Sequence, residues 1–118
     1  MSVTRAIPLP IHGAIETFAG PAIMAAPFVL GLSAVATGVA VVVGAVLLGS
    51  ALALMGTERT VSLSAHAGSD YALASVTIAG AVVTGIAGDP LGMSFLAGIG
   101  AAQLLLTANT RYSFARGV

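Results

Sequence analysis

The chain has 118 residues, of which 58% are hydrophobic and only 7% are charged. Since a soluble domain carries about a quarter charged residues, this composition predicts that much of the surface faces lipid instead of water. The net charge is zero and cysteine is absent. This excludes a basic nucleic-acid-binding surface, disulfides, cysteinyl zinc sites and iron–sulfur clusters.

Four apolar segments follow one another along the chain, at about 13–32, 35–55, 71–87 and 91–109. As α-helices of about 17–21 residues they would each span roughly 26–31 Å, close to the thickness of a hydrocarbon core. None shows the alternation of a strand, and lipid admits only helices and closed barrels. The sequence therefore predicts an all-α integral membrane fold with four transmembrane helices.

The connections divide the single membrane domain, 1–118, into two helical hairpins. Short turns join the helices within each hairpin, and the Gly-Asp-Pro of the second turn is a strong helix breaker. The longer stretch 57–70 is polar and is predicted to be a cytoplasmic connector. We assign the first hairpin repeat to 12–56 and the second to 66–110.

The hairpins align with each other without a gap at a spacing of 54 residues. The aligned pairs include His12 with His66, Glu16 with Asp70, Gly38 with Gly92, and Gly44 with Gly98. Because each repeat contains an even number of helices, both copies insert in the same direction. We expect a parallel pseudo-twofold axis along the membrane normal, in contrast to the inverted repeats of many transporters.

Arginine placement predicts the orientation. Arg5 precedes the first helix, Arg59 lies in the connector, and Arg111 and Arg116 follow the fourth helix, whereas the two short turns carry no positive charge. Under the positive-inside rule, both termini and the connector face the cytoplasm.

The stretch 20–33 reads GPAIMAAPFVLGLS. It resembles the first half of the SPW-repeat family of small bacterial membrane proteins, with Ala26-Pro27-Phe28 where the family carries Ser-Pro-Trp. The resemblance implies a two-hairpin, four-helix protein of the bacterial inner membrane. It brings no catalytic residues, since no activity is defined for that family.

Small residues recur at matched positions of the second and fourth helices. Spacing by four residues lets helix backbones approach closely in lipid, which predicts a packing seam inside the molecule or against a partner. Alternatively, the pattern reflects general richness in glycine, of which there are 15. The candidate packing residues are Gly38, Ala40, Gly44, Gly92, Ser94 and Gly98.

Two pairs of ionisable residues are the sharpest functional feature. His12 and Glu16, like His66 and Asp70, are four residues apart and share a helix face near a predicted helix start. The acids could simply stabilise helix N-termini, or the pairs could form a proton or ion site. A metal or haem site is not predicted, because two histidines without further ligands are weak evidence.

The remaining polar and motif signals are few. Gln103 lies deep in the fourth segment, and we expect it to make an interhelical hydrogen bond. No Walker loop, GxSxG, HExxH or complete dinucleotide fingerprint is present. The sequence therefore predicts a protein that is not an enzyme and needs no cofactor.

Two functions remain open. The favoured one is a non-catalytic accessory or structural subunit in the bilayer, packing against other membrane proteins of a larger respiratory or transport complex. The alternative is a small oligomeric channel or transporter with Glu16 and Asp70 at its cytoplasmic mouth. Neither involves nucleic acid.

Overall fold

A computed structural model describes residues 5–56 and 61–113 of the chain. The described elements, in chain order, are β1 (Ile7–Pro8), α1 (Leu9–Leu30), α2 (Ala34–Met55), α3 (Leu63–Ile86), α4 (Pro90–Ala108) and β2 (Thr110–Arg111). All four helices are long and apolar enough to cross a membrane. They pair as two hairpins, α1 with α2 and α3 with α4. The predicted all-α membrane fold is confirmed.

The helix ends follow from local chemistry. Helix α1 ends at Gly31, whose φ of 67° lies in the left-handed region that glycine enters without strain. The Ser33 side chain accepts a hydrogen bond from the backbone N–H of Ala36 and so begins α2. Asp89 does the same for Gly92 at the start of α4. Both turns are short, as predicted.

Helix α3 begins much earlier than the predicted apolar segment at 71. The Ser62 side chain accepts a hydrogen bond from the backbone N–H of Ala65, and the helix runs from Leu63. The second half of the predicted connector 57–70 is therefore helical, which corrects that boundary. Hydropathy missed these turns because they contain polar residues, of which His66 and Asp70 are buried inside the protein. The part of the connector that includes Arg59 lies outside the described residues.

The backbones within the first hairpin touch at a pair of glycines. A Cβ added at Gly44 would lie 2.6 Å from the carbonyl oxygen of Gly20, and one added at Gly20 would lie 2.9 Å from the carbonyl oxygen of Gly44. In the second hairpin, a Cβ at Gly100 would lie 3.2 Å from the carbonyl oxygen of Ala74. Such contacts between small residues replace the hydrophobic driving force that lipid removes.

The two hairpins match each other at two different spacings. In α1 and α3 the buried positions are 54 residues apart, as with Gly20 and Ala74. In α2 and α4 they are 56 residues apart, as with Gly44 and Gly100. Helix α3 has 24 residues and α1 has 22, which accounts for the change. The gapless alignment therefore places the histidine and acid positions correctly but rotates α4 away from its true packing face.

The two ends of the described chain meet at one end of the bundle. Strands β1 and β2 pair in parallel with Ile7 opposite Thr110, and the Ile7 N–H donates to the carbonyl oxygen of Asn109 at 3.0 Å. Arg5 and Arg111 accordingly lie at the same end, in keeping with the predicted orientation. Arg116, like Arg59, lies outside the described residues, and the side of the membrane stays a prediction.

Candidate cation site

Four ionisable side chains come together between the hairpins, at the end of the bundle where the strands pair. Helix α1 supplies His12 and Glu16, and α3 supplies His66 and Asp70. All four are at most 3% exposed. The spacing of four residues places each histidine and its acid on one helix face, and those faces are turned toward each other.

The nitrogen and oxygen atoms of these side chains form a compact group. The Nε2 atom of His12 lies 3.1 Å from Oε2 of Glu16 and 3.0 Å from Oδ2 of Asp70. The Nε2 atom of His66 lies 3.5 Å from Oε1 of Glu16 and 3.2 Å from Oδ2 of Asp70. One ligand-type atom from each residue can be chosen so that all four lie within 4.8 Å of one another. We call this group the cluster.

Hydrogen bonding fixes the proton on one imidazole. The Thr110 hydroxyl donates to the carbonyl oxygen of Leu106 at 2.6 Å, so it can only accept from Nδ1 of His12, 2.8 Å away. A neutral His12 therefore carries its hydrogen on Nδ1 and presents the lone pair of Nε2 to the carboxylates. The lone pair of Nε2 and the carboxylate oxygens are all hydrogen-bond acceptors and repel one another, so either a second proton or another cation must lie between them.

Several cluster atoms have no hydrogen-bond partner among the described residues. They are Oε1 of Glu16, Nε2 of His66 and Oδ1 of Asp70. The His66 nitrogen lies within ion-pair distance of both acids, but its direction does not suit a hydrogen bond. Unpaired buried polar atoms are costly. These atoms of the cluster are therefore free to bind a proton or a cation.

Polar neighbours hold the cluster in place. The Gln103 side chain on α4 donates through Nε2 to Oε2 of Glu16 at 3.0 Å. The Tyr112 hydroxyl donates to Oδ2 of Asp70 at 2.8 Å, and its ring packs edge-on against His12 with 5.2 Å between ring centres. Burial and the neighbouring carboxylate of Asp70 raise the pKa of Tyr112 above its ordinary value. The phenol therefore stays protonated and serves Asp70 as a donor.

The structure bears on the helix-capping interpretation of the acids. The N-cap of α3 is Ser62, and Pro8 stands at the N-cap of α1 without a side-chain hydrogen bond. Glu16 and Asp70 lie about two turns inside their helices and cap neither, so the helix-capping interpretation is wrong. The sequence argument against a metal site was that the two histidines lack further ligands. That argument no longer applies, because both acids lie next to each histidine.

Sequence reasoning missed two members of the site. Thr110 and Tyr112 follow α4, and the pairing of β2 with β1 carries them back over the start of α1. No local motif marks them. An aromatic residue just after the last apolar segment is ordinarily an interfacial anchor, and only the three-dimensional pairing reveals the contact with Asp70.

The candidate packing residues divide into two groups. Ala40, Gly44 and Gly92 are buried inside the molecule, and a Cβ at Gly92 would collide with the Asp89 side chain and lie 2.8 Å from Cβ of Ala36. Exposed positions hold the other three, and no described atom lies within 4 Å of a Cβ built at either glycine. These three are Gly38, Ser94 and Gly98.

A cleft of about 280 Å³ opens beside the cluster. Apolar side chains of α1, α2 and α4 line it, including Ile15, Ile23 and Leu106, and Glu16 and Gln103 also border it. The cleft therefore leads from an apolar surface toward the Glu16 side of the cluster.

Comparison with known proteins gives no relative to draw on: no family model matches the sequence, and no curated protein or solved structure is significantly similar to the chain. Membership of the SPW-repeat family stays a prediction from Ala26-Pro27-Phe28. The function is therefore inferred from the chemistry of the cluster.

Proposed function

We propose that this multi-pass membrane protein is a small, non-catalytic cation carrier or channel that binds its ion in the cluster. The observation that carries the proposal is the buried meeting of two carboxylates and two imidazoles, with three atoms left unpartnered. Ionisable groups are expensive inside a membrane protein and lie there mainly on ion or proton pathways. A protein that only packed against neighbours would have no use for them.

A polar face of α3 supports passage of an ion. The buried hydroxyls of Thr77 and Thr84 follow Asp70 at intervals of seven residues along that helix. Both hydroxyls donate to carbonyl oxygens of their own helix and keep lone pairs as acceptors. The equivalent positions of α1, Ile23 and Leu30, are apolar. The buried face of α3 therefore carries a row of side-chain oxygen acceptors that begins at the cluster and continues toward the turn at the other end of the bundle.

Several copies would work together in a bilayer. Four helices enclose little space, and the contacts are concentrated within each hairpin. Large apolar side chains such as Phe18 and Ile86 are about 80% exposed (79% and 83%) and face lipid or another subunit. We place the protein in the bacterial inner membrane with both termini in the cytoplasm, so that the cluster opens toward that side.

Ion flux through proteoliposomes tests this proposal. Purified chain is reconstituted, and uptake of H⁺, K⁺ and divalent cations is followed with fluorescent indicators. The wild type should give flux that falls at least tenfold in Glu16→Gln. Asp89→Asn is the matched control, since it also replaces an acid by an amide but at the opposite end of the bundle. Absence of flux for every cation, or equal flux in both variants, contradicts the proposal.

An accessory subunit is the second candidate, and the open glycine faces favour it. Gly38 and Gly98 have space for a partner helix to approach their backbones. The partner would be another integral membrane protein, as in a respiratory or transport complex. Gentle-detergent purification followed by mass spectrometry separates the candidates: constant association with one larger complex, without flux by the isolated chain, favours the accessory role.

A further inference from the structure

We infer that the cluster binds one divalent first-row transition-metal ion of the Zn²⁺ type. Its ligands are the Nε2 atoms of His12 and His66 and one carboxylate oxygen each from Glu16 and Asp70. The inference rests on the proposed cation-binding function and deepens it by naming the class of ion.

Three distances in the cluster match the edges of a coordination tetrahedron. A Zn²⁺ ion about 2.0–2.1 Å from each of four ligands holds those ligands about 3.3–3.4 Å apart. With Oε1 of Glu16 and Oδ2 of Asp70 as the carboxylate ligands, three nitrogen-to-oxygen distances are 3.0, 3.2 and 3.5 Å. The 3.1 Å contact of His12 is to the other Glu16 oxygen, Oε2. Both histidines direct the same ring atom, Nε2, to the centre of the group. The four ligand atoms lie within 4.8 Å of one another, so the widest pair would have to close by up to about 1.5 Å to reach a tetrahedral edge.

The second ring nitrogen of His12 is arranged as metal sites require. Its Nδ1–H donates to Thr110, whose own hydrogen is committed to the carbonyl oxygen of Leu106. A metal-bound histidine characteristically donates its other N–H to a fixed acceptor, which sets the tautomer and aims the free lone pair at the metal. Gln103 and Tyr112 fix the two carboxylates in the same manner.

Charge and ligand type select the ion. Two carboxylates and two neutral imidazoles sum to two negative charges, which a divalent ion balances inside an apolar environment. Two nitrogen ligands suit zinc, iron, cobalt, nickel and copper, whereas magnesium and calcium prefer oxygen ligands throughout. The unpartnered atoms Oε1 of Glu16 and Nε2 of His66 supply the remaining coordination.

Cobalt is a suitable probe because four-coordinate Co²⁺ absorbs visible light strongly. The full chain in lipid nanodiscs is titrated with Co²⁺ after chelator treatment. We expect one Co²⁺ per chain, full displacement by one equivalent of Zn²⁺, and no displacement by a large excess of Mg²⁺ or Ca²⁺. His66→Gln should weaken Co²⁺ binding by more than about 100-fold. Asp89→Asn, which alters an acid outside the cluster, should leave binding unchanged.

A positioning variant separates aiming from ligation. Thr110→Val removes the acceptor for Nδ1 of His12 but leaves all four ligands in place. Co²⁺ affinity should fall about 10–100-fold while the shape of the visible spectrum is retained. An unchanged affinity would show that Thr110 does not aim the imidazole for a metal.

Wild-type binding tests the inference even where the variants do not fold. It is overturned if the folded wild type takes up no Co²⁺ or Zn²⁺, if Mg²⁺ displaces Co²⁺ as well as Zn²⁺ does, or if a folded His66→Gln binds normally. Should metal binding fail while ion flux still depends on Glu16, the cluster carries protons or monovalent ions and the proposed function survives. Should metal bind without such flux, this inference stands and transport falls.

Discussion

The two ends of the bundle each join the hairpins through carboxylates, but under opposite conditions. At the turn end, Asp89 accepts from the backbone N–H groups of Ser33 and Gly92 at 2.9 and 2.8 Å. Those bonds lower the pKa of Asp89 below its ordinary value. At the strand-paired end, Glu16 and Asp70 are fully buried and face imidazole nitrogens. One oxygen of each acid accepts no hydrogen bond from the described residues.

The difference distinguishes a structural acid from a functional one. Asp89 has neutral backbone donors for both oxygens and ties the start of α2 to the start of α4. The cluster acids leave atoms unpaired, which folding alone gives no reason to retain. Both ends use carboxylates, and Asp70 and Asp89 are the same residue type, so the number of hydrogen-bond donors and the burial of each acid distinguish their roles.

The largest expected effect is at the cluster. Asp70→Ala should lower the free energy of unfolding by about 3–5 kcal/mol, because the Tyr112 hydroxyl and the cation that we propose for the cluster lose a buried anionic partner. Reversible unfolding in mixed micelles measures the loss. Asp89→Ala, at the half-buried turn end, should cost clearly less. Equal losses would remove the contrast between the two ends.

A packing substitution should give the next largest effect, at the turn end. Gly92→Ala puts a methyl group against Asp89 and Ala36 where no room exists, and should cost about 1–3 kcal/mol. Gly98→Ala, on the open face of the same helix, is the control and should stay within about 0.5 kcal/mol of the wild type. A large effect at Gly98 would instead indicate a subunit contact on that face.

Asp89→Asn should change how stability depends on pH by a smaller amount. Because the folded-state pKa of Asp89 lies below its ordinary value of 3.8, the contribution is fully present above that value. It disappears as pH falls through the lower folded value. Unfolding midpoints of wild type and variant should therefore differ at pH 6 and converge in strong acid. A gap that persists unchanged would show that the charge of Asp89 plays no part.

The smallest effect is spectroscopic. In Tyr71→Phe the sole remaining tyrosine is Tyr112, and its phenol should ionise well above pH 10 because burial and Asp70 disfavour the phenolate. The stabilisation from the protonated phenol is present below the ordinary pKa of 10.0 and lost above the folded one. Ultraviolet absorbance of tyrosinate follows the titration. Ionisation at or below pH 10 would show that Tyr112 does not cover the cluster.

Sequence alone predicted the fold well because helix length in lipid is fixed by the bilayer. It found the four cluster residues as two separate pairs, since the spacing within each helix is readable. The sequence could not show that the two pairs form one cluster, because the rotation of α1 relative to α3 is set by packing between the hairpins. Lipid and core are equally apolar, so the sequence of α4 does not show which face is inside. The gapless alignment therefore pairs Gly44 with Gly98, although Gly100 is the glycine that packs inside the second hairpin.

Anomalous X-ray diffraction at the zinc absorption edge, from crystals grown in lipid with Zn²⁺, tests the central claim most directly. We predict one peak between α1 and α3, about 2.0–2.2 Å from the nearest nitrogen or oxygen of His12, Glu16, His66 and Asp70. A map without a peak there, although the four side chains keep their present contacts, would contradict it.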